Sequence, residues 1–254
     1  MTSIDQLGTA HTFLNRPQRI ISLVPSITEL LCDLGLSELL VGCTKFCLHP
    51  RDLRSKIKIV GGTKNVKLDI VASLHPDIII ANKEENQKID NDALSDNYPT
   101  WISDIKTVED SYNMITELGM IFSKLDNSQS IIASLQEVLI KGDTLSGTVA
   151  YLIWKDPFMA SGGDTYIDNM LMNCGLMNVF KDQQRYPEVT LEEINAKEPD
   201  YIFLSSEPFP FQEKHIAEIQ ARTPGRKIVL VDGEYFSWYG TRLLYVQNYM
   251  QSLS

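Results

Sequence analysis

The chain has 254 residues, 43% of them hydrophobic and 22% charged, with a formal net charge of −10. That length suits one large domain or two of ordinary size, and no apolar run approaches the roughly 18 residues of a membrane-spanning helix. The acidic balance argues against nucleic acid, whose binding rests on clustered Lys and Arg neutralising phosphates.

Met1 to His11 show neither the basic segment nor the apolar core of a signal peptide. The chain as written is therefore expected to be cytosolic, or to lack its exporting segment. Residues 1–18 read as a lead-in with a small hairpin around Asp5 to Thr9. Arg19 to Pro25 is an apolar, β-branched strand. Ser26, followed three residues later by Glu29, has the form of a capping box opening a helix that stops at Gly35. The free amides of that helix start could equally hold an anionic or carbonyl group of a ligand. Strands follow at Leu39 to Thr44 and Ile57 to Gly62, with a loop between them carrying Phe46 and His49. Asn82 to Asn97 reads as a polar helix and Thr100 to Ile102 as a strand. Thr107 with Asp110 forms a second capping box, opening a helix to about Lys124, and Ser128 to Lys141 reads as another helix.

The second half begins with the strand Thr148 to Trp154 and the loop Lys155 to Gly163. A helix from Asp164 to Cys174 is capped by Gly175. Helices at Gln212 to Ala221 and Thr241 to Leu253 flank a strand at Ile228 to Val231.

One pattern occurs twice. Asp69 and Glu192 each stand seven residues ahead of a Pro-Asp pair, Pro76 with Asp77 and Pro199 with Asp200, and an apolar run follows each pair. Each copy reads as a short helix, a proline stop and a buried strand, because proline donates no N–H and disfavours the helical region for the residue before it. Strand and helix alternate in both halves, which implies α/β lobes built on parallel sheets with flanking helices.

In such sheets, ligands bind beyond the carboxyl ends of the strands. Those positions carry Pro25, Ser26 and Thr28, then Phe46, Trp154, Tyr186, Ser205, Ser206 and the run Tyr235 to Tyr239. They are rich in aromatics, which suit a large flat ligand held by area burial, and each could equally be core packing. Four aromatics, Tyr235, Phe236, Trp238 and Tyr239, crowd five residues and cannot all face one core. Arg242 could hold an anionic ligand group bidentately or form a salt bridge. No catalytic motif is present. The four cysteines, Cys32, Cys43, Cys47 and Cys174, are too few and scattered for a disulfide scaffold or a zinc site, and the four histidines are dispersed, so neither a metal nor a cofactor is expected.

The chain resembles the substrate-binding proteins of the vitamin B12, siderophore and haem type, which have a helical backbone between two lobes. The resemblance rests on Arg19 to Leu31, Leu34 with Gly35, Val41 with Gly42, and Leu68 to Ala81. In the second half it rests on Ser161 with Gly162, Asn173 to Phe180, and Pro187 to Glu192. It implies a first lobe over 1–106, connecting helices with the backbone helix over 107–146, and a second lobe over 147–254. It further implies a monomer that holds a metal chelate (cobalamin, ferric siderophore or haem) between the lobes. Pro25, Ser26, Thr28, Phe46, Trp154, Tyr186, Phe236, Trp238, Tyr239 and Arg242 are the expected ligand contacts. Asp69 and Glu192 match the carboxylates that dock onto arginines of the membrane permease of an ABC importer; the family usually has Glu at both. The positions that line the cleft in the vitamin B12-binding member read Phe46, Thr63, Asn82 and Tyr186 here. Cys174 matches a disulfide-bonded cysteine whose partner position is Gln251. The resemblance places the protein in the periplasm or cell envelope. The alternatives are a cytosolic sensor or carrier of the same fold, and an α/β enzyme.

Overall fold

The computed structural model describes residues 1–140 and 145–253. The chain divides into two compact units. The first holds Met1–Ile105, Glu109–Ser134 and Tyr239–Arg242, and the second holds Lys106–Val108, Leu135–Trp238 and Leu243–Ser254.

In the first unit, five parallel strands form one sheet in the order Lys58–Ile59, Leu40–Cys43, Ile20–Ser22, Ile78–Asn82, Thr100–Ser103. Every residue of Ile78–Asn82 is buried, as a central strand covered on both faces must be. The predicted hairpin is present: Thr2–Ile4 pairs antiparallel with Ala10–Thr12. Asp5 closes its turn by accepting the amides of Leu7 and Thr9 at 3.0 and 2.8 Å. The hairpin also caps the exposed edge of the sheet, because Gln6 donates its amide to the Ile102 carbonyl and Ile102 donates to Asp5 Oδ2.

The second unit has the parallel order Leu176–Asn178, Gly147–Trp154, Tyr201–Ser205, Lys227–Val231, and the short strand Met159–Ala160 runs antiparallel beside Gly147–Trp154. Tyr151, Phe203 and Phe236 pack its centre with ring centroids 5.2 to 6.4 Å apart.

The two helices of the expected connector are Val108–Ile121 and Leu125–Ile140; the predicted end at Lys141 lies outside the described residues. They cross closely at Gly119, where a Cβ would come 2.3 Å from Ser128 Oγ. The division into units falls inside the second helix, between Ser134 and Leu135.

The repeated pattern has the same structural role in each unit. Asp77 Oδ2 accepts the amides of Gln18 and Arg19 at 2.7 and 3.0 Å, just ahead of the strand Ile20–Ser22. Asp200 Oδ2 accepts the Thr148 amide at 2.7 Å and its hydroxyl at 2.8 Å, at the start of Gly147–Trp154. Each Pro-Asp carboxylate thus ties its own strand to the first strand of its sheet. The hydrogen bonds from the Thr148 backbone and side chain hold Asp200 below the usual aspartate range.

Candidate functional site

In both sheets the strand order reverses between the first strand and the strand after the Pro-Asp pair, the point where open α/β sheets leave a crevice at their carboxyl ends. In the first unit two asparagines occupy this point. Asn82 Oδ1 accepts the amides of Glu84 and Glu85 at 2.7 and 2.9 Å, and its Nδ2 donates to Ser103 O and Oγ. Asn86 Oδ1 accepts the Asn82 amide at 2.8 Å, while its Nδ2 donates to the carbonyls of Leu23 and Thr63. Both residues are buried with their side chains engaged, so they shape the loops rather than present free groups. They also turn the chain so that the predicted helix over 82–97 shrinks to Lys88–Ser95.

The helix after the first strand corrects the expected capping box. It runs Pro25–Asp33 with Val24 at the N-cap and no side-chain cap. Thr28 is fully buried. Its hydroxyl lies 2.8 Å from the Val24 carbonyl, to which it can donate, 2.7 Å from Ser22 Oγ and 3.1 Å from Cys47 Sγ. Ser26 is 4% exposed and Pro25 is buried. Glu29 faces Arg242, which donates from Nη2 to Oε1 at 2.8 Å and from Nε to Oε2 at 3.1 Å; their side chains are 13% and 10% exposed. Of the two roles open to Arg242, the structure shows the salt bridge.

The run Tyr235 to Tyr239 divides between the units. Tyr235 stacks on Tyr249 at 4.1 Å and Phe236 is fully enclosed in the second core. Tyr239 is buried in the first unit, and burial pushes its ionisation up. Trp238 is 8% exposed.

The expected contacts that do present surface are Phe46, Trp154 and Tyr186. In the first unit Phe46 is 48% exposed, with Lys45 Nζ 4.9 Å from its ring centre. In the second unit Trp154 is 40% exposed at the end of its strand and packs edge-on against Phe209 at 5.7 Å. Tyr186 is half-buried under the Arg185 guanidinium, 5.4 Å from the ring centre.

The second unit also holds Glu207, a residue the sequence reading passes over. It follows the strand Tyr201–Ser205 and accepts from Ser237 Oγ at 2.6 Å and Trp238 Nε1 at 3.1 Å, both on Oε1. Burial pushes this carboxyl above the usual glutamate range, with Glu234 and Asp232 adding to the effect against the two hydrogen bonds. Its sequence signal is an acidic residue two positions past the carboxyl end of a central strand, set among Phe209, Phe211 and two prolines.

Asp69 and Glu192 occupy the same place in two short helices, Leu68–Ser73 and Leu191–Ala196, and both are exposed. Glu192 pairs with Arg222, whose hydrogen bond lowers its ionisation. The second helix has a capping box of its own at Thr190 and Glu193. All four cysteines are free; burial pushes the Cys174 thiol up to about 12. Among the described residues no three His, Cys, Asp or Glu gather where they could hold a metal ion, and no helix is long and apolar enough to cross a membrane.

Two α/β units with switch points at the carboxyl ends of parallel sheets, and exposed aromatics there, are the frame of a solute-binding protein. The chain belongs to the periplasmic binding protein family, which matches residues 20–225. Members of this family bind substrates and are not enzymes. An uncharacterised ABC transporter substrate-binding lipoprotein of Bacillus subtilis, YvrC, is 30% identical over 206 residues, which cover 75% of this chain and 64% of that protein. The fold matches the periplasmic vitamin B12 binding protein BtuF of Vibrio cholerae with a TM-score of 0.78 at 19% identity, over 93% of this chain and 96% of that one. A periplasmic haem binding protein from Pseudomonas aeruginosa matches with a TM-score of 0.77 at 17% identity, over 93% of this chain and 92% of that one.

Proposed function

We propose that the protein is the solute receptor of an ATP-driven importer in the cell envelope, and that its solute is a metal chelate of the cobalamin, haem or ferric siderophore type. Membership of the periplasmic binding protein family and the lipoprotein relative support the receptor role. The observation that carries the chelate is the pair of large aromatic surfaces at strand carboxyl ends, Phe46 in the first unit and Trp154 with Phe209 in the second. Exposed rings at such positions bury the faces of a large, flat, apolar ligand. Phe46, Trp154 and Tyr186 would supply contact area. Thr28, Phe236 and Arg242 serve packing and pairing within the units and drop out of the contact set. Asp69 and Glu192 would meet arginines of the permease.

A thermal-shift series with cyanocobalamin, haem and ferric siderophores tests the reading. A chelate at 100 times its Kd stabilises by about 2.7 kcal/mol, which raises the melting temperature of a chain this size by roughly 5–10 °C. Absence of any shift at saturating concentration would refute it.

A further inference from the structure

We propose that Glu207 selects among chelates: it accepts from amide, hydroxyl or ammonium donors on the ligand and rejects chelates that present carboxylates. This rests on the chelate-receptor reading above and narrows it to a ligand class.

The geometry is that of a fixed, half-occupied acceptor. Glu207 stands at the switch point of the second sheet, two residues after Tyr201–Ser205, where ligands of such sheets bind. Ser237 and Trp238 donate to Oε1 and set the plane of the carboxylate. Its backbone is tied to the same place, because Ser205 Oγ donates to the Glu207 carbonyl at 2.6 Å and accepts the Glu207 amide at 3.3 Å. Gly233 makes the room: a Cβ there would come 2.5 Å from Glu207 Cγ and from Ser205 Oγ. No donor among the described residues reaches Oε2, and no Lys, Arg or His pairs with the carboxylate. The ionisable groups that act on it most are Asp232 and Glu234, both acidic. A half-buried carboxylate with acidic neighbours and no cation is costly to keep, and a structural acceptor for Ser237 and Trp238 needs no charge.

The loop that carries Glu207 also carries Phe209, which bonds through its amide to the Ile153 carbonyl and packs on Trp154. Aromatic area and acceptor therefore share one short segment. A ligand laid on Trp154 and Phe209 would bring its periphery toward the open oxygen, where a donor gains a charge-assisted bond and a carboxylate meets like charge.

The test compares Kd values for the wild type, Glu207→Gln and Asp232→Asn with three probes: cyanocobalamin, which is rich in amide donors; a cationic ferric hydroxamate; and haem, which carries two carboxylates. Glutamine retains an acceptor for Ser237 and Trp238, so the melting temperature and Trp fluorescence of the apo protein should stay close to wild type. The wild type is expected to prefer a donor-bearing probe to haem. Glu207→Gln should shift that preference toward haem by about tenfold or more, the value of one charge-assisted bond. Asp232→Asn, which leaves Glu207 in place and removes a neighbouring charge that disfavours its ionisation, should keep the wild-type preference. An unchanged ratio in Glu207→Gln, or a wild type that binds haem most tightly, overturns the proposal while the chelate-receptor reading stands. Failure of all three probes to bind even the wild type overturns both.

Discussion

Arg242 and Glu29 are 213 residues apart in sequence and form a two-point pair in the structure. The cost of breaking such a pair exceeds its net worth, because the remaining charge is left poorly solvated. Arg242→Met is expected to destabilise by about 3 kcal/mol, and Glu29→Leu added to it should recover most of that loss. Urea unfolding of the two single variants and the double variant measures the coupling. Ligand affinity should be unchanged in any variant that folds, whereas a ligand-binding Arg242 would lose it. Asp5 makes a second residue-scale case. Burial raises its ionisation, but His11, whose Nε2 lies 3.2 Å away, and the amides of Thr9 and Ile102 bring it below the usual aspartate value. A depressed carboxyl contributes stability above its unfolded pKa and loses it as pH falls through the folded one. Asp5→Asn should therefore cost roughly 1–2 kcal/mol at pH 7, and the gap to wild type should close below about pH 4. A gap that persists at pH 2 would show that shape, not charge, is what Asp5 supplies.

At the scale of elements, the Pro-Asp pairs explain why the pattern occurs twice. The proline ends the helix, and the aspartate binds the opening amides of the neighbouring parallel strand, Arg19 in one unit and Thr148 in the other. Asp77→Ala and Asp200→Ala are each expected to cost about 1–2 kcal/mol. Hydrogen exchange should quicken at the amides of Gln18 and Arg19 in the first variant and Thr148 in the second; unchanged exchange there would refute the anchoring role. Elements of this kind were legible because their determinants are local: a proline stop, an apolar run, a glycine such as Gly35 at φ +75° after a helix. Ser26 with Glu29 departs from its sequence spacing for the converse reason. A local spacing suggested a cap, but Glu29 answers to a partner far along the chain, and Pro25 already opens the helix with its fixed φ. The helix is shorter than the 82–97 its polar sequence suggests because the hydrogen bonds of Asn82 and Asn86, which compete with helical ones, depend on Ser103, Leu23 and Thr63. Burial of Phe236 and Tyr239 in different units was half-legible: crowding showed that one core could not take all four aromatics, though not that two would.

For the whole molecule, the carboxylates that should meet the transporter differ in what they already hold. Glu192 is paired with Arg222, while Asp69 makes no ion pair among the described residues. Exposed pairs such as Glu192 with Arg222 are weak because water and salt screen them, so exchanging one arginine for another costs little, and a permease arginine can displace Arg222. Asp69→Ala and Glu192→Ala should each lower uptake of a bound chelate by about tenfold or more, the value of one charge-assisted hydrogen bond, and leave Kd for the free receptor unchanged. Arg222→Ala separates docking from a merely structural pair. If Glu192 serves the transporter, freeing it leaves uptake intact or raises it; if Glu192 only braces its helix through Arg222, both variants destabilise the fold together and uptake falls with melting temperature. Kd values that rise in Asp69→Ala or Glu192→Ala would move these residues out of docking and into ligand binding.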